Sequence, residues 1–156
     1  MQVLTGKAIM EQIVAGRLCF YQRPAPKPQL YSQNNWRMEI NRFYQAQQVA
    51  IRELNAFHDR ALHQVGEAVA SIFSIHGLLL EDNDYTEAVR SLIQGQGVTA
   101  EYAVQITEVS FATAFSAMDS PYMRARAADI RDISQRVLRA LMGRRQELTM
   151  KEPAIL

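Results

Sequence analysis

Three histidines (His58, His63 and His76), one cysteine (Cys19) and the run Gly95-Gln96-Gly97 are the places where this chain could build conventional site chemistry. Their spacing argues against most of it. A carboxylate-bridged metal pair in a helical bundle needs Glu-x-x-His pairs on two helices, and the sequence contains none. The histidines miss the ligand spacings of zinc sites. A single thiol can form neither a zinc cluster nor an intrachain disulfide. Gly95-Gln96-Gly97 lacks the further glycine and the strand-to-helix context of a phosphate-cradling loop. What is left is surface chemistry. The run Leu78-Leu79-Leu80-Glu81-Asp82 joins an apolar end to an acidic turn. It is either a helix terminus entering a capped turn, or an apolar anchor ringed by negative charge for a partner with a basic rim. His76 falls on an apolar stripe, where its ring must find a hydrogen-bond partner or face a groove. The arginines Arg124, Arg126, Arg131, Arg136, Arg139, Arg144 and Arg145 are interleaved with Asp129 and Asp132. Most of them therefore read as a salt-bridged, solvated face.

The elements that must carry these residues are helices. From Ser32 onward Trp36, Ile40, Phe43, Gln47, Ala50, Ile51, Leu54 and Phe57 recur at three- and four-residue steps, predicting one long amphipathic helix. The stripe resumes with Leu62, Val65, Val69, Ile72, Phe73, His76, Leu79 and Leu80, with Gly66 as a break or bend, and ends near Leu80. Glu81-Asp82-Asn83-Asp84 offers N-caps, and Tyr85, Ala88, Val89, Leu92 and Ile93 start a short helix stopped by Gly95 and Gly97. Thr99 caps a fourth helix running to about Ala117, with Tyr102, Ile106, Val109 and Thr113 as its expected inward face. Asp119-Ser120-Pro121 supplies a cap and a proline at the first helical position. Met123, Ala127, Ile130, Ile133, Val137 and Leu141 then make the stripe of a last helix, ended by Gly143.

Outside this helical stretch, Ile13, Val14 and Leu18 to Tyr21 predict one short strand, and the prolines of Arg23 to Pro28 a linker. Pro153 to Leu156 reads as a strand just beginning. The expected fold is mainly α: an antiparallel helical bundle of two helical hairpins, about four to five helices, with a short N-terminal strand and a truncated C-terminal strand. Three pairings stay open for the first strand: the Ala154 to Leu156 end, loose packing, or another molecule.

The whole chain, 156 residues with 48% hydrophobic content and a net charge of +1, suffices for one compact core and gives no field for a polyanion. Nucleic acid is therefore not an expected partner. No window approaches the roughly 20 apolar residues of a membrane helix, so no membrane insertion is expected, and the lone cysteine fits a reducing, cytoplasmic setting.

Two stretches carry a resemblance. Ile72-Phe73-Ser74-Ile75-His76-Gly77-Leu78-Leu79-Leu80-Glu81-Asp82 and Arg126-Ala127-Ala128-Asp129-Ile130-Arg131-Asp132-Ile133 resemble the helical domain of Enzyme I, the phosphoenolpyruvate-protein phosphotransferase family of bacterial sugar uptake. The opening departs from it: family members begin with Ala-Ser-Pro-Gly-Ile-Ala, whereas Ile9 to Gly16 read otherwise here. The resemblance implies residues 1–28 as first strand and linker of an incomplete α/β phosphohistidine domain, 29–146 as the helical domain that binds the phosphocarrier HPr, and 147–156 as the return into the α/β domain. It implies a docking face of Glu67, Ser71, Ser74, Leu78, Leu79, Asp82, Asp84 and Tyr85, with Phe115, Met123 and Arg126 beside them. Leu78, Leu79 and Tyr85 would form its apolar centre. Ala68 and Ser74 stand where family members often carry acids. The phosphorylated histidine and its loop are not in this chain, so the chain alone is expected to be non-catalytic and to need no cofactor. Magnesium and homodimerisation belong to the C-terminal part of the full-length family. The alternative is a divergent stand-alone helical interaction or regulatory module.

Overall fold

The computed structural model describes residues 17–18, 30, 32, 35–143 and 154–155. The chain divides into two units, Pro26–Arg145 and a second made of Met1–Ala25 with Gln146–Leu156. In the smaller unit, β1 (Arg17–Leu18) pairs in parallel with β2 (Ala154–Ile155), Arg17 opposite Ala154 and Leu18 opposite Ile155. Of the three pairings left open for the first strand, this is the one adopted. Cys19 and the proline run lie outside the described residues.

Among the described residues, the larger unit has five helices: α1 (Trp36–Gln64), α2 (Glu67–Glu81), α3 (Asn83–Gln96), α4 (Ala100–Ser116) and α5 (Pro121–Leu141). Their ends follow local chemistry. The Asn35 side chain accepts from the Arg37 N–H, Asp82 from those of Asp84 and Tyr85, Thr99 from that of Tyr102, and Ser120 from that of Met123. Each cap satisfies donors that the first helical turn leaves unpaired. Gly97 ends α3 in the left-handed region at φ 64°, a conformation that costs glycine no side-chain clash. Gly95 does not stop α3 as expected; it lies inside the helix. Gly66, at φ 105°, separates α1 from α2, and the Val65 and Gly66 N–H groups both turn back to the Ala61 carbonyl. Leu62 therefore closes α1 instead of opening α2.

α1 and α2 run antiparallel. Gln47 of α1 meets Leu80 of α2, while Phe57, farther along α1, stacks on Phe73, earlier in α2, at 5.7 Å. Buried Gln47 donates to the Leu80 carbonyl at 2.5 Å and to the Thr86 hydroxyl at 3.1 Å, so one amide joins α1 to the end of α2 and the start of α3. The most extensive helix pairing joins α4 to α5. Phe43, Leu54, Leu80, Tyr85, Val89, Ile93, Val104, Ile130, Ile133 and Leu138 fill the core between the helices.

At the N-terminal end of α1, Glu39 is buried among donors. Its carboxylate accepts from the Ala100 N–H at 2.9 Å, the Ser32 hydroxyl at 2.9 Å and Arg42 Nη1 at 2.7 Å. The first contact places negative charge on a buried N–H at the start of α4 that has no partner within the helix, where the helix dipole favours it. Arg42 also pairs with Glu101. Burial lowers the affinity of the Arg42 guanidinium for its proton, but the hydrogen bond and charge of Glu101, with those of Glu39, outweigh that and raise its pKa.

Two stripes differ from expectation. In α4 the inward residues are Ala100, Ala103, Val104, Thr107 and Ala112, whereas Ile106 and Val109 face solvent, Val109 at 58% exposure. Small side chains let α4 approach α5 closely, and that packing outweighs the larger apolar side chains on the other face. At the α1–α2 turn, Leu62, Val65, Val69 and Ile72 are exposed, because the break at Gly66 interrupts the stripe they would have continued. Trp36, at the very start of α1, is also largely exposed.

Candidate functional site

α2 presents Glu67, Ser71, Ser74 and Leu78 at steps of four, three and four residues, which places them along one side of the helix. All four are exposed, and Leu78 at 68% is an aliphatic side chain with almost nothing covering it. The opposite side faces the core: Ala70, His76 and Leu80 are buried, and the partly buried Phe73 packs against the hydrophobic core. The Ser71 hydroxyl turns back to the Ala68 carbonyl at 3.0 Å. Leu79 is half-buried against the core, so only part of it reaches the surface.

The acidic corner follows at once. Glu81, Asp82 and Asp84 are all exposed. Asp82 ends α2 and caps α3, its Oδ1 accepting from the Asp84 N–H at 2.9 Å and the Tyr85 N–H at 3.2 Å. The helix terminus and the acidic surface are thus the same residue, and the two readings of this run do not compete.

Tyr85 is the correction at this site. Expected in the apolar centre of the face, it is 1% exposed and lies in the core. Its ring meets the edge of Phe111 at 5.9 Å, and its hydroxyl and that of Ser134 on α5 share a hydrogen bond at 2.9 Å. Burial pushes the phenol above its ordinary pKa; the Ser134 bond opposes the shift and the charge of Glu108 adds to it. A ring so enclosed has no area to offer a partner.

α5 reaches α2 through a chain of polar contacts that starts at the buried His76. His76, with a side chain 7% exposed, places Nε2 3.3 Å from Asp129 Oδ1. Asp129 Oδ2 accepts from Arg126 Nη1 at 2.8 Å. Arg126 Nη2 donates to the Tyr122 hydroxyl, and the guanidinium lies 4.5 Å from the Tyr122 ring centre. The hydrogen bond to Tyr122, then that to Asp129, raises the Arg126 pKa. His76 Nε2 thus has a partner, whereas its buried Nδ1 has none among the described residues. The carboxylate accepts, so the ring carries its proton on Nε2. Phe115 of α4 and Met123 of α5 are half-buried. A residue tied to Arg126 was missing from the sequence-based site: Tyr122, exposed at 65% and in contact with the guanidinium. An aromatic four residues before an arginine on one helix was the available signal for Tyr122.

Among the described residues no three His, Cys, Asp or Glu side chains converge as metal ligands would. No described helix is long and apolar enough to cross a membrane. The arrangement is an exposed leucine followed by exposed carboxylates on α2 and α3, with the Arg126 guanidinium linked to α2 through Asp129 and His76.

Comparison with known proteins bears on the family and the fold. Residues 5–126 match the family model described as PEP-utilising enzyme, N-terminal. The phosphoenolpyruvate-protein phosphotransferase of Geobacillus stearothermophilus is 41% identical over 118 residues, 76% of this chain and 20% of that protein. The Haemophilus influenzae protein of the same name is 34% identical over 105 residues, 67% of this chain and 18% of that protein. The chain therefore spans about a fifth of the length of these curated relatives. A solution structure of Enzyme I superposes with a TM-score of 0.74 at 25% identity, over 83% of this chain and 52% of that one. The N-terminal domain of Enzyme 1 - Nitrogen superposes with a TM-score of 0.69 at 26% identity, over 77% and 52%. The match over most of the chain decides the question: this chain belongs to the PEP-utilising enzyme N-terminal family.

Proposed function

We propose that the helical unit docks the phosphocarrier HPr in a bacterial sugar phosphotransferase system, holding it for phosphoryl transfer with a histidine carried elsewhere in the enzyme. The carrying observation is Leu78, 68% exposed on α2 and followed within six residues by the exposed Glu81, Asp82 and Asp84. An aliphatic anchor beside a cluster of acids suits a partner with an apolar centre and a basic rim. Leu78 and the uncovered part of Leu79 are the anchor; Glu67, Glu81, Asp82 and Asp84 attract; Arg126 selects a hydrogen-bond acceptor or carboxylate on the carrier. Phosphoryl transfer depends mainly on alignment and charge, so a platform that orients the carrier contributes without itself reacting. Similarity to the N-terminal domains of Enzyme I relatives supports this reading over that of a stand-alone regulatory module.

In this reading the β1–β2 pair belongs to an α/β phosphohistidine domain into which the helical unit is inserted. Magnesium acts at another part of the full-length protein, as does homodimerisation, and the setting is the cytoplasm. The test is calorimetric titration of the 156-residue chain with HPr at low salt. A one-to-one complex is expected, weakened about tenfold by Leu78→Ala; no heat of binding to any HPr-type carrier would end the reading. A nitrogen-branch carrier is the second reading, favoured by the similarity to Enzyme 1 - Nitrogen, and competition between the two carriers distinguishes them.

A further inference from the structure

Arg126 is the long, flexible side chain of the proposed docking surface, and its surroundings are unusual for a helix-surface arginine. Two groups of its own helix grip it: Asp129, three residues on, at 2.8 Å, and Tyr122, four residues back, through both hydroxyl and ring. Its side chain is only 18% exposed as a result. Asp129 is itself held from another helix, because its second oxygen lies 3.3 Å from Nε2 of His76 on α2. The imidazole cannot swing away, being packed to 7% side-chain exposure. A surface pair three residues apart on one helix contributes little to stability. A pair locked by a buried ring from a neighbouring helix restricts geometry instead.

We infer that Asp129 is a positioning residue: braced by His76, it fixes the Arg126 guanidinium in the orientation that meets the carrier. The inference rests on the docking reading for its function and on the His76–Asp129–Arg126 chain for its geometry. Ordering a rotamer-rich side chain before binding removes a cost otherwise incurred on association, about three- to tenfold in Kd for one such side chain. His76 serves the same end one step removed, and Tyr122 closes the other side of the guanidinium.

Two measurements on the 156-residue chain test this. The first needs no partner: the NMR order parameter of the Arg126 Nε–H is expected to be high in the unaltered protein and to fall in Asp129→Ala, while the α5 backbone stays unchanged. An Arg126 as ordered in the variant as in the parent overturns the inference whether or not any carrier binds. The second is a double-mutant cycle with HPr. Asp129→Ala should weaken binding about three- to tenfold in the parent background and not at all in the Arg126→Ala background. Equal losses in both backgrounds overturn the inference, since they would mean that Asp129 touches the carrier or supports the fold generally. If Asp129→Ala does not fold, Asp129→Asn replaces it, because its amide NH2 takes the place of one of the two oxygens that face His76 and Arg126 and removes the charge. A parent protein that binds no carrier refutes the docking reading alone; the order parameter still decides the brace.

Discussion

At Tyr85 and Ser134 the molecule has exchanged a surface contact for a core one, and the exchange can be read in pH. The two hydroxyls satisfy each other at 2.9 Å, with Ser134 fully buried. Tyr85→Phe would leave the serine without that partner, a loss of about 1–2 kcal/mol. The phenol's ionisation supplies the second readout. Burial first, with the Glu108 charge and against the Ser134 bond, raises its pKa in the folded state. The unfolded chain releases the same proton near the ordinary phenol value of about 10. Above that pH the folded state binds more protons than the unfolded one, so stability must fall as pH rises. The contribution is fully present below about pH 10 and is lost on the way up through the raised folded-state value. Urea melts of the parent and Tyr85→Phe at pH 7 to 11 should show a stability gap that narrows or reverses above pH 10; a constant gap would contradict the buried phenol.

Asp82 sits where two helices share one residue, ending α2 and capping α3, and this separates its two roles experimentally. Asn caps about as well as Asp, whereas Ala loses the cap at a cost of about 1 kcal/mol. Asp82→Asn should therefore leave the melting temperature nearly unchanged while slowing carrier association, and Asp82→Ala should reduce both. A large loss of stability in Asp82→Asn would mean that the charge, and not the cap, supports α3. The same local chemistry explains what was legible from sequence. Thr99 and Ser120-Pro121 mark helix starts, and Gly66, Gly97 and Gly143 helix ends, through interactions within a few residues, and all five act as expected. Which side of α4 faces inward was not legible. Ile106 and Val109 outrank Ala103 and Ala112 in apolar area, but the alanines allow the close approach to α5, and only the assembled bundle reveals that preference. For Tyr85 the two readings diverge: helical spacing puts it on the apolar stripe with Val89 and Ile93, where it is buried, whereas the resemblance puts it on the docking face; its hydroxyl partner Ser134 lies 49 residues away. The face of α2 with Glu67, Ser71, Ser74 and Leu78 comes from the resemblance, and the residues alone mark only the Leu78 to Asp82 run, where an apolar end meets an acidic turn.

On the scale of the whole molecule, net charge says nothing about docking. Lys and Arg number 17 against 16 Asp and Glu, so a distant partner meets an almost neutral object. Attraction for a basic carrier must come from the exposed acids at the α2–α3 corner, and its range is set by the Debye length, about 10 Å at 0.1 M salt. An apolar anchor such as Leu78 acts only after contact and is indifferent to salt at moderate ionic strength. The two parts of the surface should therefore separate kinetically. Raising salt from about 50 to 500 mM, across which the Debye length shrinks severalfold, should slow HPr association by about tenfold and leave dissociation nearly constant. Leu78→Ala should do the reverse, speeding dissociation with little change in association. Stopped-flow measurement of both rates is the check. An association rate indifferent to salt would show that the acidic corner does not steer the carrier, and would move the weight of recognition onto Leu78 and the braced Arg126.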